Sequence, residues 1–233
     1  MLDLQNIVVT YGKNTPAEKV VLDSANLSLK QGEFAALIGN NGSGKSTMAK
    51  VIAGEIMIDS GNILIDDVNC NRLRVSQRSA MISRVFQDPM RGTVPGLSVL
   101  ENLVFASQRG QKRKLLPAIK RHHREFFIEK LSILNIGLED KIDLLVGMLS
   151  GGQRQALSLL MATLSPAKLL LLDEHTAALD PEAGKLVMRF THQILKDHKL
   201  TALMITHDMR ELDYCDTVYT ITDGKVKLVN KAS

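Results

Sequence analysis

Residues 39–46, Gly-Asn-Asn-Gly-Ser-Gly-Lys-Ser, constrain this chain more than any other segment, because they fit G-x-x-x-x-G-K-[ST]. A short apolar run at 33–38 precedes them and predicts a strand. A helical pattern follows from about 45 to 53, and Gly54 stops it. Glycines in such a loop let backbone N–H groups converge on phosphate oxygens, and the helix N-terminus adds a favourable dipole. The spacing therefore casts Gly39, Asn40, Asn41, Gly42, Ser43 and Gly44 as a phosphate cradle. Lys45 would reach the β and γ phosphates, the Ser46 hydroxyl would hold Mg²⁺, and Thr47 completes the nucleotide-facing set.

The rest of the chain supplies a setting for that loop. Residues 2–9, 20–30 and 63–65 read as strands, and so do 168–172 and 201–205, with a helix at about 182–196 between the last two. Residues 217–221 and 225–229 flank Asp223-Gly224, a hairpin signal. The middle, about 89–164, has helical periodicity, clearest at 126–134. Short apolar strands alternating with helices predict an α/β fold with a parallel-rich core. The strands at 1–30 and 60–68 would form an antiparallel β layer beside it, and the middle an inserted α-helical lobe. The whole of 1–233 is expected to form a single domain, with about 89–164 as the lobe within it.

Composition narrows the setting further. At 45% apolar residues, the 233-residue chain can build a full core, yet no apolar run approaches the ~18 residues of a membrane span. The first residues lack the basic start and apolar stretch of a signal peptide. Cys70 and Cys215 have no zinc or disulfide spacing. A reducing compartment is expected, with a partner supplying any membrane helices. Net charge is only +4, and the one basic run, 109–114 continued at 120–124, reads either as a solvated helix face or as contact with an anionic surface. The chain lacks Trp, and no aromatics interleave with these bases, so nucleic acid is not expected as a partner. His122 and His123 would point ~100° apart on a helix, which argues against a metal site.

Two further segments carry chemistry. The apolar run 169–172 ends in Asp173-Glu174, which a buried strand delivers to the crevice at the sheet's carboxyl edge. Asp173 suits Mg²⁺, and Glu174 suits a general base that polarises the attacking water. Residues 149–155, Leu-Ser-Gly-Gly-Gln-Arg-Gln, place Ser150 as an N-cap with Gly151 and Gly152 exposing backbone amides ahead of a helix from about Gln153. On physical grounds this is either an ordinary helix start or a second anion site. One nucleotide already has a loop, so a second site invites use on a partner's nucleotide.

The segment 149–155 is similar to the signature motif of ABC ATPases, the nucleotide-binding subunits of ABC transporters, and the family's other motifs stand in order along essentially the whole chain. Tyr11 sits where the family's adenine-stacking aromatic lies. Gln87, in Phe86-Gln-Asp-Pro89, resembles the Q-loop glutamine, which contacts the metal and couples the site to the helical lobe. Asp180 falls in the D-loop match, and His207 in Ile205-Thr-His-Asp208 matches the switch histidine, able to contact the γ-phosphate. The resemblance implies the P-loop NTPase fold with a RecA-like core, ATP and Mg²⁺ as ligands, and ATP hydrolysis. It further implies a homodimer that sandwiches two ATP between one loop and the partner's Ser150, Gly151, Gly152 and Gln153, and transmembrane permease subunits at the cytoplasmic face of the membrane. An importer would add an extracytoplasmic binding protein.

Departures from the family pattern are few. Asn40 replaces a proline at a position that supplies backbone. His175 replaces the proline that usually follows the catalytic Glu, and reads either as a tuner of Glu174 or as a buried structural histidine. Residues 173–180 and 86–93 resemble a bacterial subgroup of importer ATPases, some linked to uptake of amino acids, including aromatic ones. Import is expected over export because many exporters fuse this domain to their membrane spans. The rivals are an exporter ATPase, a soluble ABC ATPase of DNA repair or translation, and a non-catalytic nucleotide-binding module. The compact interval from Lys45 to Glu174 argues against the repair proteins, and the single motif set argues against the translation proteins. Retention of Glu174 and His207 argues against the non-catalytic module.

Overall fold

The computed structural model describes residues 1–109, 121–164 and 167–229. In chain order the elements are β1 (Leu2–Tyr11), β2 (Lys19–Leu29), β3 (Phe34–Ile38), α1 (Lys45–Ala53), β4 (Ser60–Ile65), β5 (Val68–Asn69), α2 (Val75–Arg78) and β6 (Ile82–Val85). They continue with α3 (Val99–Ser107), α4 (Arg121–Ser132), α5 (Gly151–Thr163), β7 (Leu169–Asp173), α6 (Pro181–His198), β8 (Thr201–Ile205), β9 (Thr217–Thr222) and β10 (Lys225–Val229).

One sheet runs β10-β9-β3-β8-β7-β6, parallel throughout except for β10, which pairs antiparallel with β9. Its central strands are continuous apolar runs because both faces are covered. On one face, Ala35, Leu37, Leu171, Leu203 and Ile205 share a core with Met48, Val51 and Ile52 of α1. On the other, Phe34, Ala36, Leu170, Leu172 and Met204 meet Leu159 of α5 and Met188 and Leu195 of α6. The fold is thus the expected α/β, P-loop NTPase arrangement with a RecA-like sheet.

The antiparallel layer is a separate four-stranded sheet, β2-β1-β4-β5. Alternation in β1 sends Leu2, Leu4, Ile7 and Val9 inward, with a slip in register after Leu4 where Asn6 takes a positive φ of 50°. These side chains close over α1 in the same core as the parallel sheet. A third core joins α3, α4 and one face of α5, including Leu103, Phe127, Leu131, Leu157 and Leu160. Helix α5 therefore turns one face to the helical lobe and another, through Leu159 and Ala162, to the parallel sheet.

Residues 66–85 contain what sequence reading left unassigned: β5, α2 and the edge strand β6. Strand β6 is four residues with Ser83 and Arg84 in it, too short and too polar to show a period. Helix α2 brings in Arg78, only 1% exposed, whose guanidinium donates to the carbonyls of Val51 (2.7 Å), Ile52 (2.9 Å), Cys70 (2.6 Å) and Leu73 (3.2 Å). It thereby satisfies carbonyls at the C-terminal end of α1 and places a positive charge where the helix dipole favours one.

Of the basic run, residues 110–120 and the side chains of Arg121 and His122 lie outside the described residues. Arg124 makes a two-pronged pair with Asp143. Among the described residues no helix is long and apolar enough to cross a membrane, and no cluster of His, Cys, Asp or Glu suits a metal ion by itself.

Candidate active site

The order β3-β8-β7 sets three carboxyl ends side by side, and the candidate residues stand there. From β3 the chain turns through 39–44 into α1. Gly39 must be glycine: a Cβ there would sit 2.4 Å from the Ile221 carbonyl oxygen and 2.8 Å from Ser43 Oγ. Gly44 opens α1 at φ 113° with no side-chain cap, so the first turn keeps its N–H groups for another acceptor. Ser43 Oγ is buried without a hydrogen-bond partner. An orphaned hydroxyl in a glycine cradle at a helix N-terminus is what an anionic ligand would satisfy.

Lys45 is 5% exposed and curls over the loop, its Nζ donating to the carbonyls of Gly39 (2.6 Å) and Asn40 (3.0 Å). Asn41, Gly42 and Ser46 face outward. Tyr11, at the end of β1, lies against the same helix, with its hydroxyl 3.3 Å from Thr47 Oγ1. An exposed aromatic thus borders the phosphate loop.

Strand β7 delivers Asp173 and then Glu174. The backbone of Glu174 takes φ 46°, a left-handed conformation that costs a non-glycine residue about 1–2 kcal/mol. Its N–H donates to the Ile205 carbonyl at 2.9 Å and its own carbonyl accepts from Ala177 at 3.1 Å, which hold the strained residue in place. This turn swings its carboxylate toward β8, where His207 Nδ1 lies 3.6 Å from Glu174 Oε2. The histidine is 62% exposed at the side chain, Glu174 23%. The two residues proposed for water activation and γ-phosphate contact therefore meet at one edge.

Asp173 Oδ2 accepts from Arg84 Nη2 at 2.6 Å, and Arg84 Nη1 donates to Glu55 Oε1 at 2.6 Å. Arg84 and Glu55 were not foreseen; a lone arginine inside a predicted strand would have been the signal, but the strand itself was not read. Ser46 and Asp173 are hard oxygen donors of the kind Mg²⁺ takes, so with the orphaned Ser43 hydroxyl the residues fit a magnesium–nucleotide.

Gln87 follows β6 in an exposed turn, and among the described residues no hydrogen bond joins it to Asp173 or Glu174. Gln155, in the signature segment but not singled out from sequence, is fully buried and donates through Nε2 to the Phe86 carbonyl at 3.0 Å. It fastens α5 to the turn that carries Gln87.

Ser150 caps α5 as expected: its Oγ accepts from Gln153 N at 3.2 Å, and Gln153 Oε1 accepts from Ser150 N at 3.4 Å. Gln153 Nε2 also donates to the Ile136 carbonyl at 3.0 Å, so this side chain faces its own lobe. Among the described residues no hydrogen bond joins 150–153 to the phosphate loop. The glycines instead pack on the start of α6, where Asp180 caps through Ala183 N at 3.0 Å. A Cβ on Gly151 would meet Leu179 at 3.5 Å, and one on Gly152 would meet Ala183 Cβ at 3.0 Å. Signature and D-loop residues thus form one exposed corner, separate from the loop at 39–46.

His175 is turned the other way. It is 1% exposed, its Nε2 lies 3.1 Å from Thr191 Oγ1 on α6, and Nδ1 is buried without a partner. Thr191 already donates to the Val187 carbonyl, so the imidazole is the donor in this contact. Burial pushes its pKa down to about 4, leaving a neutral ring at pH 7. The structural reading of this histidine holds.

Comparison with known proteins agrees with this geometry. The family model described as "ABC transporter" matches residues 22–177. The tyrosine transport ATP-binding protein of Clostridioides difficile is 37% identical over 229 residues, covering 98% of this chain and 91% of that protein. The putative hemin import ATP-binding protein HrtA of Staphylococcus haemolyticus is 34% identical over 97% of this chain and 99% of its own. Among solved structures, the ATP-binding cassette MJ0796, as a dimer in a post-hydrolysis state bound to ADP and Pi, superposes with a TM-score of 0.82 at 26% identity over 100% of both chains.

Proposed function

The chain belongs to the ABC transporter family and is an ATP hydrolase of that family, and from that premise we propose that it powers import of a small solute, an amino acid in the first instance. Its family works with membrane components and dimerises, and on this reading the chain sits peripherally on such a partner, in keeping with described helices none of which is long and apolar enough to cross a membrane. The relative named for tyrosine transport supports the amino acid, and the likeness of residues 173–180 and 86–93 to importer ATPases supports the inward direction. On this reading 1–233 acts as one ATPase unit at the cytoplasmic face. Its lobe at about 89–164 docks on permease subunits, and an extracytoplasmic binding protein delivers the solute.

The observation that carries the catalytic part is the convergence of Lys45, Asp173, Glu174 and His207 at one sheet edge. Gly39–Gly44 and Lys45 bind the triphosphate, whose oxygens take over the ammonium from the Gly39 and Asn40 carbonyls. Tyr11 stacks on the base. Ser46, Asp173 and Gln87 are the residues to hold Mg²⁺, which when bound neutralises charge on the phosphates. Glu174 orients and deprotonates the attacking water, and His207 reaches the γ-phosphate. In a head-to-tail dimer the corner of Ser150, Gly151, Gly152, Gln153 and Asp180 covers the partner's nucleotide, a role in keeping with a corner that makes no hydrogen bond to its own phosphate loop among the described residues.

Reconstitution tests the transport reading. The chain, combined in liposomes with permease subunits encoded beside it and their binding protein, should take up labelled tyrosine only with ATP on the subunit's side. Tyrosine leaving the liposomes instead, or no amino acid moving while another solute does, would replace it.

A further inference from the structure

Arg84 is a buried cation at the site to which the reaction above gives no task. Its side chain is 9% exposed and its two Nη atoms are divided between two carboxylates, Asp173 Oδ2 and Glu55 Oε1, each at 2.6 Å. Nε is buried with no partner, and the guanidinium carbon lies 4.7 Å from the centroid of the Phe86 ring. The same ring carries Arg91 at 4.6 Å. We infer that Arg84 is the resident counter-ion of Asp173, which yields that carboxylate to the incoming divalent cation by falling back on Glu55, and so sets how much of the cation the ATPase needs. This rests on Asp173 being the cation-facing carboxylate.

Charge and geometry carry the argument. Without a cation, Asp173 and Glu174 would place two adjacent carboxylates at a mostly buried strand end, an arrangement that needs a compensating positive group. Arg84 supplies it from the neighbouring strand, since Arg84 and Leu171 are paired across β6 and β7. The planar fork suits this task, because it presents separate donors to the two carboxylates in a fixed geometry that a lysine's single nitrogen does not reproduce. Glu55 is the more exposed partner, 34% against 20% for Asp173, and stands just past the C-cap of α1. When a divalent cation draws on Asp173, Arg84 remains paired with Glu55, and no buried charge is stranded during the exchange. A fixed positive charge beside the cation's carboxylate must weaken the cation's hold. The Phe86 ring places this exchange next to the turn that carries Gln87, so the state of Asp173 has a direct packing route to the segment leading into the lobe.

The test reads metal binding without turnover. Mn²⁺, a paramagnetic stand-in, is titrated into the full chain saturated with a non-hydrolysable ATP analogue, and free Mn²⁺ is followed by electron paramagnetic resonance. Arg84→Gln should bind Mn²⁺ roughly tenfold more tightly, as expected for losing a unit charge close to a divalent ion in a well-screened site, and should melt lower than wild type when metal is absent. Glu55→Gln, a change at a half-exposed side chain, should bind Mn²⁺ more weakly, since Arg84 then has only Asp173. Unchanged or weaker Mn²⁺ binding in Arg84→Gln, or unchanged binding in Glu55→Gln, overturns the inference. Wild-type protein that binds the analogue but no Mn²⁺ would sink it together with the reading of Asp173 beneath it.

Discussion

His207 Nδ1 stands 3.6 Å from Oε2 of Glu174, joining the ends of two adjacent parallel strands, β8 and β7. That contact predicts interdependence. Glu174→Gln should lower ATP turnover by about 10²–10⁴-fold, the usual weight of a positioned base, while leaving binding of a fluorescent ATP analogue intact. His207→Ala should also lose turnover, and the double variant should be little worse than the poorer single one. Phosphate release from the three purified proteins decides this. Normal hydrolysis by Glu174→Gln would remove Glu174 from its role.

His175 predicts a separation between activity and acid stability. Its pKa falls from the ordinary 6.5 to about 4 on folding because the buried ring is kept neutral. The unfolded chain therefore binds an extra proton between those values. The contribution to stability is complete above about pH 6.5 and drains away as pH falls toward about 4, amounting to ~3 kcal/mol. His175→Pro should flatten that part of the stability curve, measured by denaturant unfolding at stepped pH, and leave the pH profile of hydrolysis unmoved. A shifted hydrolysis profile would instead make His175 a partner of Glu174.

Arg78 predicts a stability defect far from the chemistry. Arg78→Met leaves four carbonyls that now accept from the guanidinium without that donor. The expected loss is ~3 kcal/mol, at the upper end for hydrogen bonds to a charged group. Because α1 begins at the phosphate loop, ATP affinity should fall with it. Urea unfolding checks the first outcome, and a variant as stable as wild type contradicts it.

Gly152 predicts a defect confined to assembly. A Cβ there already meets Ala183 Cβ at 3.0 Å, so Gly152→Val must push the start of α6 and crowd the exposed corner. ATP binding by the isolated chain should persist, while ATP-dependent dimerisation of a Glu174→Gln background, followed by size-exclusion chromatography, should be lost.

How far the sequence alone reached follows from the kind of signal each element carries. The continuous apolar runs of β3, β7 and β8 and the glycine-stopped α1 were legible because burial on both faces and a left-handed C-cap leave local marks. The Asp223-Gly224 hairpin was legible for the same reason, both residues taking positive φ. Edge strand β6 left no mark, since Ser83 and Arg84 interrupt its two apolar residues. With it went Arg84, whose partners Glu55 and Asp173 lie 29 and 89 residues away. Gln155 was hidden similarly, since its bond to Phe86 spans 69 residues. Motif residues announce themselves by spacing, whereas the side chains that hold them in place are defined by contacts that only the folded chain creates.

The central claim is that each copy of the chain completes the other's nucleotide site, and the structure of Glu174→Gln trapped with ATP and Mg²⁺ tests it most directly. The account predicts a twofold dimer in which Ser150 Oγ and the Gly152 amide of one copy lie within hydrogen-bond reach of the γ-phosphate held by Lys45 of the other. ATP bound at Lys45 with Ser150 of every copy facing solvent or its own lobe would contradict it.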